Sequence, residues 1–299
     1  MVKLVGLAIF LACALTANAS QAAADNAGKI PVVATFSILA DFVSNVGGDG
    51  VTVAELVGPN GDAHVYQPKP ADAKALREAR IILVNGLGLE GWIDRLIKAS
   101  GSKAPVIIAS KGITPQQMEE NGHVGLDPHA WQSITNAITY VTNIRDGLIA
   151  ADLGRQDYYR ANAAAYIDKL HALEKQVSDK ITQIPPERRR IITTHDAFGY
   201  FGRAYGFSFI APVGVSTEAE ASARDVARII NQIKTTKVPA VFLENVTDPR
   251  LLKRIADESG AKIGGTLYSD ALSPPDGEAP TYIEMMRHNI DVLTVALTQ

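Results

Sequence analysis

One segment near the middle of the chain constrains the fold more than any other. Residues 155–184 contain neither glycine nor proline, and the dipeptide Pro185-Pro186 follows them. Apolar side chains recur in this segment with a period close to 3.6; they are Tyr159, Ala163, Tyr166, Ile167, Leu170, Leu173, Val177, Ile181 and Ile184. The pattern predicts a single helix of roughly 45 Å, the length of a whole small protein.

Strand-like and helical segments alternate on both sides of this helix. The strand-like segments are 30–35, 51–57, 81–84, 106–109, 191–194, 207–213, 240–244 and 262–267. The helical segments are 38–46, 71–79, 90–99, 130–149, 196–205, 222–235, 249–259 and 282–297. Such alternation is typical of parallel α/β sheets. We therefore expect an N-terminal lobe at 25–150, a linker helix at 151–185 and a C-terminal lobe at 186–299, with 106–109 a buried strand and 114–128 a loop.

The N-terminus has the pattern of a secretory signal peptide. Lys3 is followed by an apolar run over 4–16 and by small residues at 17–19 and 22–24. The run is short for a membrane span, which needs about 20 apolar residues. We predict a signal peptide at 1–24, cleaved after Ala19 or Ala24, and a periplasmic mature protein.

Composition excludes several kinds of site. The only cysteine, Cys13, lies inside the apolar run, so the mature chain is expected to contain no disulfide and no thiolate ligand. Cys13 is a poor match to a lipoprotein site, and we do not expect a lipid anchor. The net charge of −3 and the lack of a long basic run argue against nucleic-acid binding. No later apolar run is long enough to span a membrane.

Three histidines and one aspartate stand where α/β proteins bind ligands, just after strands or at helix starts. They are His64, His129, His195 and Asp270, two in each predicted lobe. Three imidazoles and a carboxylate suit tetrahedral Zn²⁺. Such a closed set leaves no position for a reactive water, which disfavours a zinc hydrolase, the distant alternative. Spacing alone does not show that the four converge, and each histidine alone could be an ordinary surface or core residue.

Several strings resemble the cluster A-I metal-binding receptors of bacterial zinc and manganese ABC importers, the ZnuA-like and TroA-like family. They are GPNGDAHVYQPKPADAKAL, IILVNGLGLEGW, DPHAW, TTHDAFGYFGRAYGF and YSDALS. The resemblance extends from about residue 30 to 297. It implies a fold of two (β/α)₄-type lobes with parallel sheets, bridged by one long helix, with the metal between them.

The resemblance also implies what the chain does. It places the four metal ligands on His64, His129, His195 and Asp270. The third ligand is commonly Glu in manganese members, so His195 favours Zn²⁺, although some His₃Asp members take both ions. The expected function is a non-enzymatic, monomeric receptor that delivers Zn²⁺ to a permease and its ATPase. The alternative is a manganese or mixed zinc/manganese receptor.

Two positions depart from the family pattern. Gln67 stands where the family usually has Glu, which removes a negative charge near the site. The segment 114–128 is short, where zinc-specific members often carry a long His- and acid-rich loop. It retains Glu119, Glu120 and His123. We interpret it either as a reduced zinc-collecting loop, which could meet a periplasmic metallochaperone, or as a plain solvated loop.

The remaining polar residues are assigned lesser roles. Glu244, Asp127 and Asp196 are candidates to hold the second ring nitrogen of a ligand histidine. His171 and His288 are interpreted as structural or surface residues. The G-x-G-x-x-G of Gly86, Gly88 and Gly91 is interpreted as a turn rather than a nucleotide site. With three neutral imidazoles as ligands, metal affinity should fall as pH drops through about 6.5.

Overall fold

The computed structural model describes residues 28–120, 123–218, 221–236 and 238–298. The predicted signal peptide and Cys13 lie outside these residues, so both remain predictions. No helix within these residues combines the length and the apolar character that crossing a membrane requires.

The first lobe is built on a parallel four-stranded sheet. Its strands are β1 (Ile30–Phe36), β2 (Val51–Val57), β3 (Ile81–Val84) and β4 (Val106–Ile108), in the order β2-β1-β3-β4. The helices between them are α1 (Ser37–Gly47), α2 (Pro70–Glu78) and α3 (Ile93–Ser100). The inner strands are largely buried and mostly apolar, with all of β3 and the last five residues of β1 buried, as expected of a parallel sheet covered on both faces.

A hairpin and two helices then lead to the second lobe. The hairpin pairs β5 (Gln117–Glu120) with β6 (His123–Leu126), and the helices are α4 (Ile134–Ala151) and α5 (Gln156–Ile181). The helix α5 is the long helix predicted from the 3.6-residue period. At 1.5 Å per residue its length is roughly 39 Å. It lies inside the predicted linker 151–185, and the exact domain limits remain predictions.

The second lobe repeats the plan of the first. Its strands are β7 (Arg190–Ile192), β8 (Ser208–Ile210), β9 (Val241–Glu244) and β10 (Ile263–Leu267), in the order β10-β9-β7-β8. Its helices are α6 (Gly199–Tyr205), α7 (Ala223–Thr236), α8 (Pro249–Ser259) and α9 (Tyr282–Thr298). In each lobe the chain visits the sheet positions in the same sequence, which confirms the predicted two-lobed α/β architecture.

The two lobes share an apolar core. The helix α5 packs against α1 and α4 of the first lobe and against α9 of the second. Its buried side chains Tyr159, Tyr166, Leu173 and Val177 belong to one cluster that extends into both lobes. A smaller cluster lies beneath α7 and α8. Because the lobes are joined by a continuous core, a wide hinge opening would expose much apolar surface at high cost.

Polar contacts reinforce this junction. Asp41 on α1 accepts hydrogen bonds from the Tyr166 hydroxyl on α5, at 3.2 Å, and from the backbone N–H of Tyr282 at the start of α9, at 3.1 Å. A carboxylate at a helix N-terminus also interacts favourably with the helix dipole. One side chain therefore ties the first lobe to the bridging helix and to the second lobe.

Two predictions for the first lobe are wrong. The strand β4 is not buried: Val106 and Ile108 are 44% and 47% exposed, because β4 pairs only with β3 and forms the sheet edge. The segment 114–128 is not simply a loop, since it contains the antiparallel hairpin β5–β6. In the sequence the dipeptide Asn121-Gly122 lies between these strands, and this dipeptide is a strong signal for a hairpin turn.

Three helices start several residues later than predicted, namely α3, which begins at Ile93 rather than at residue 90, and two helices beside the predicted ligands. The segment 130–149 opens with a 3₁₀ turn over Ala130–Gln132, and α4 begins only after Ser133, whose side chain accepts a hydrogen bond from the N–H of Asn136. Such a serine satisfies a backbone donor that the first helical turn leaves free. The segment 196–205 becomes helical only at Gly199. In these last two cases the residues before the helix belong to the loop that carries a predicted ligand, His129 or His195.

Candidate metal centre

His64 lies in the loop between β2 and α2 and is only 7% exposed. Its backbone N–H donates to Asp62 Oδ1 at 2.8 Å, a short side-chain-to-backbone turn that fixes the loop. Asp62 therefore positions the loop that carries His64, a contact that the sequence analysis did not predict. A signal was present, because the same Asp-x-His spacing recurs in Asp127-Pro128-His129.

His129 follows β6 and is fully buried. One carboxylate oxygen of Asp127 accepts from the backbone N–H of His129 at 2.9 Å and lies 2.8 Å from its Nδ1. Because Asp127 accepts the proton on Nδ1, the lone pair of the neutral ring is on Nε2. This contact agrees with the role predicted for Asp127.

His195 follows β7 and is also fully buried. Glu244, at the end of β9, accepts from the backbone N–H groups of Thr194 and His195 through Oε1, at 2.7 and 2.9 Å. Its Oε2 lies 2.6 Å from Nδ1 of His195. Glu244 thus lies against Nδ1 of His195 as Asp127 lies against Nδ1 of His129, but at His195 the contact is an ion-pair distance without hydrogen-bond geometry. In both rings Nε2 faces the other candidate ligands.

Asp270 follows β10 and is fully buried. The carbonyl oxygen of Ser269, one residue earlier, accepts from Trp131 Nε1 at 2.9 Å and from Gln132 Nε2 at 2.7 Å. Both donors belong to the first lobe and directly follow the His129 loop. The loops that carry His129 and Asp270 are therefore held against each other across the lobe boundary.

The four side chains converge on one point. Nε2 of His64 lies 3.2 Å from Nε2 of His129 and 3.4 Å from Asp270 Oδ2. Asp270 lies 3.6 Å from Nε2 of His129 and 3.0 Å from Nε2 of His195. One nitrogen or oxygen from each residue falls within 4.8 Å of all the others. In a tetrahedral centre with bonds of about 2.1 Å, ligand atoms are separated by about 3.4 Å, so the cluster has the dimensions to hold one small cation.

The electrostatics of the cluster also favour a cation. Burial opposes charge on His129, but Asp270 and Asp127 outweigh burial and raise the pKa to about 9. Burial likewise opposes charge on His195, yet Glu244 and Asp270 raise its pKa well above the ordinary value. Burial also acts on Asp270, but His195 and His129 hold its pKa well below the usual range. Protons therefore occupy this site in the absence of a metal ion, and binding must displace them.

This result changes the expected pH dependence. The sequence suggested neutral imidazoles and a fall in affinity only near pH 6.5. With the pKa of His129 at about 9, protons compete with a metal ion from a higher pH. The carboxylates that raise the pKa are the same groups that make the site attractive to a divalent cation.

Asp196 lies apart from the two carboxylates that touch ligand rings. Its backbone N–H donates to Gly214 O at 3.1 Å. Burial, together with the nearby charge of Asp127, raises the pKa of its carboxyl to about 6. Within the part of the chain that the structure describes, its carboxylate forms no hydrogen bond or ion pair with a ring nitrogen of His64, His129 or His195, so the role predicted for it lacks a geometric basis.

Other residues that the sequence singled out lie away from the centre. His171 is exposed on α5, and His288 on α9 places Nε2 2.9 Å from the carbonyl oxygen of Thr266. Gln67 is exposed. His123 belongs to β6 of the hairpin, and the structure does not describe where its side chain points.

The glycine motif is a turn filled by the chain itself. Gly86 and Gly88 have φ angles of 84° and 88°, which only glycine adopts readily. The buried carboxylate of Glu90 accepts from the backbone N–H groups of Asn85 and Gly86, at 2.6 and 3.3 Å. A phosphate would need such N–H groups and would be repelled by Glu90, so a nucleotide has no place here.

The fold and the cluster define a class of protein, a two-lobed binding receptor with a buried ligand site between lobes that share an apolar core. Comparison with known proteins agrees. The family described as ZnuA, zinc-uptake complex component A, periplasmic, matches residues 32–296. The manganese-binding lipoprotein MntA of Halalkalibacterium halodurans is 36% identical over 270 residues, 90% of this chain and 89% of that protein.

Two further similar proteins are named for metals other than manganese. The iron-binding protein YfeA of Yersinia pestis is 34% identical over 92% of this chain and 88% of that protein. The structure of the periplasmic zinc-binding protein TroA of Treponema pallidum superposes with a TM-score of 0.86 at 33% identity, covering 91% of this chain and all of that one. The chain belongs to the ZnuA/TroA family of metal-binding receptors of ABC importers, and it is not an enzyme.

Proposed function

We propose that the chain captures a single divalent transition-metal ion with His64, His129, His195 and Asp270. The observation that carries the proposal is the convergence of four buried ligand atoms from two lobes within 4.8 Å of one another. Asp127 and Glu244 contact Nδ1 of two of the histidines, so these rings direct Nε2 to the centre. A cation there is the group that the chemistry of the donor set fits best.

Manganese or mixed manganese/zinc uptake is better supported than the zinc-specific function expected from the sequence. The relatives MntA and YfeA are named for manganese and iron, and TroA for zinc. For a given nitrogen/oxygen site, intrinsic affinity is lower for Mn²⁺ than for Zn²⁺. We infer that Zn²⁺ binds more tightly in vitro, whereas availability outside the cytoplasm decides which ion is carried.

The receptor is proposed to deliver its ion to a membrane permease driven by an ATPase. Relatives are named as substrate-binding lipoproteins of metal ABC transporters, which fits an extracytoplasmic location. A lipid anchor on Cys13 is therefore an alternative to the cleaved signal peptide. A metallochaperone that meets the β5–β6 hairpin is a further proposed partner, and the receptor is proposed to act as a monomer.

Competition titration of metal-free protein tests this function. The protein should bind Zn²⁺ and Mn²⁺ with one-to-one stoichiometry and mutual exclusion, with Zn²⁺ tighter. His129→Ala should abolish both, while His171→Ala, an exposed histidine on α5, serves as the matched control. Binding of either ion by His129→Ala at wild-type affinity would refute the proposed site. Zn²⁺ binding without measurable Mn²⁺ binding would instead restore the zinc-specific function.

A further inference from the structure

The two sheets place an asparagine at the same structural position in each lobe. In the first lobe Val32 of β1 pairs with Ile81 of β3, and in the second Ile192 of β7 pairs with Val241 of β9. Four residues beyond Ile81 is Asn85, and four residues beyond Val241 is Asn245. Each asparagine thus directly follows the third strand of its lobe, beside the point where the chain reverses its direction of winding.

Asn245 brackets the carboxylate ligand. Its Oδ1 accepts from the backbone N–H of Ser269 at 3.3 Å, and its Nδ2 donates to the carbonyl oxygen of Ala271 at 3.1 Å. Asp270 is the residue between them. Nδ2 of Asn245 also donates a hydrogen bond to Asn60 Oδ1 of the first lobe at 3.0 Å. One amide therefore fixes the backbone on both sides of Asp270 and links it to the loop that carries His64.

Asn85 holds the equivalent loop of the first lobe. It is fully buried, and its Nδ2 donates to the carbonyl oxygen of Pro128 at 2.9 Å. Pro128 directly precedes His129. The Oδ1 of Asn85 accepts a hydrogen bond from the Tyr140 hydroxyl at 2.5 Å. The candidate ligands held in this way are His129 and Asp270. Asp270 follows the fourth strand of its lobe, and His129 follows the hairpin that comes after the fourth strand of the first lobe.

We propose that Asn85 and Asn245 are a symmetry-related pair of positioning residues that fix His129 and Asp270 for metal binding. The inference rests on the proposed function. Both sites require an amide, because each side chain donates to a carbonyl on one side and accepts a proton on the other. Asp could not donate, and Leu could do neither.

Asn245 offers the cleaner test because its side chain is only partly buried. Asn245→Ala removes both bonds to the Asp270 loop, whereas Asn245→Asp keeps the volume and the acceptor but loses the donor. The extra negative charge of Asp would by itself strengthen cation binding. If the metal affinity of Asn245→Asp is nevertheless weaker than that of the wild type, the loss is due to the missing donor. Asn143→Ala is the matched control, since Asn143 donates to the carbonyl oxygens of Ala109 and Lys111 away from the site.

In the first lobe, Asn85→Ala is combined with Tyr140→Phe so that no buried hydroxyl loses its acceptor. Tyr140→Phe alone is the control for this double variant. Each purified variant is titrated with Zn²⁺, its melting temperature is measured without metal, and the visible spectrum of bound Co²⁺ reports the coordination geometry. A purely structural role would lower the melting temperature without altering the cobalt spectrum.

The expected result is a loss of Zn²⁺ affinity of roughly 10- to 100-fold in both Asn245 variants and in the Asn85 double variant, the range typical of groups that orient ligands. The cobalt spectrum should change in these proteins and not in the controls. Affinities within about threefold of wild type with an unchanged spectrum, or equal losses in the controls, would overturn the inference, given that orienting groups cost at least tenfold. Failure of the wild-type protein to bind metal would instead refute the proposed function.

Discussion

The Asp62 carboxylate of the first lobe accepts a hydrogen bond of 2.6 Å from the Thr217 hydroxyl of the second. The other oxygen of Asp62 holds the backbone N–H of His64. The segment that carries Thr217 also follows Val213, which pairs with His195. A contact between the lobes is thus coupled directly to two of the proposed ligands.

Breaking this contact should speed metal release. Thr217→Val keeps the shape of the side chain and removes the donor to a charged acceptor, an interaction of about 1.5–3 kcal/mol. We expect the dissociation rate of Zn²⁺ to rise about tenfold, since 1.4 kcal/mol corresponds to a factor of ten. Stopped-flow transfer of the ion to a chelator measures this rate. The control is Thr235→Val on α7, where the Thr235 hydroxyl donates to carbonyl oxygens of its own helix. This variant should leave the rate unchanged, and an equal rise there would contradict the coupling.

Removal of the carboxylate ligand should abolish tight binding. Asp270→Asn eliminates the anionic ligand and the charge that balances the two buried imidazoles. We expect affinity to fall by more than about 100-fold, beyond the 10- to 100-fold typical of groups that only orient ligands. Calorimetric titration with Zn²⁺ measures the change. A loss of less than tenfold would show that Asp270 is not a ligand.

Metal removal should destabilise the wild-type protein. An ion that binds only the folded state at 100 times its Kd contributes about 2.7 kcal/mol. With an unfolding entropy of about 2.1 cal/mol/K per residue, this corresponds to a rise in melting temperature of roughly 5 °C for a chain of this size. Differential scanning calorimetry with and without a chelator measures the shift. Asp270→Asn should melt at the same temperature under both conditions, and an identical shift in that variant would place the stabilising ion elsewhere.

Glu244, the carboxylate that faces the ring of His195, should contribute to metal affinity. Glu244→Gln keeps the size of the side chain but loses the charge that faces Nδ1 of His195. We expect affinity to fall roughly 10- to 100-fold. The matched control is Glu258→Gln on α8, where Glu258 forms an exposed ion pair with Arg254. Competition with a chromogenic chelator measures both affinities, and equal values for the two variants would refute the role of Glu244.

Metal binding should release protons over a wide pH range. Folding raises the pKa of His129 from 6.5 to about 9, so the charged imidazole stabilises the metal-free fold below pH 6.5, and this contribution is lost as pH rises to about 9. A metal ion must displace that proton, so affinity should keep rising with pH over the same interval. Calorimetry in buffers of different ionisation enthalpy counts the protons released. No release at pH 7.5 would contradict the raised pKa.

Local patterns in the sequence were sufficient for the architecture. The 3.6-residue spacing of apolar side chains identified α5, and short apolar segments identified the inner strands. Both patterns are visible in the sequence because burial of one face or of a whole strand imposes them directly. Burial of β4 was mispredicted because a short apolar strand looks the same at the edge of a sheet as at its centre. The hairpin β5–β6 was not predicted because its strands have only four residues each and β5 is polar, although the sequence Asn121-Gly122 is typical of hairpin turns.

The site was predictable only in part. Resemblance supplied the four ligands, and strand ends indicated where they would lie. The contacts that hold them are harder to predict from the sequence, because the partners are far apart in the chain. Thr217 contacts Asp62 across 155 positions, and Trp131 contacts Ser269 across 138. Raised imidazole pKa values also depend on how closely three carboxylates surround the rings. Such relationships arise only when both lobes have assembled.

Anomalous diffraction from crystals of the Zn²⁺- or Mn²⁺-loaded protein tests the central claim most directly. The account predicts one strong peak between the lobes, at about 2.0–2.2 Å for Zn²⁺ from Nε2 of His64, His129 and His195 and from the carboxylate of Asp270. A peak outside this cluster, or one bound by residues of a single lobe, would contradict it.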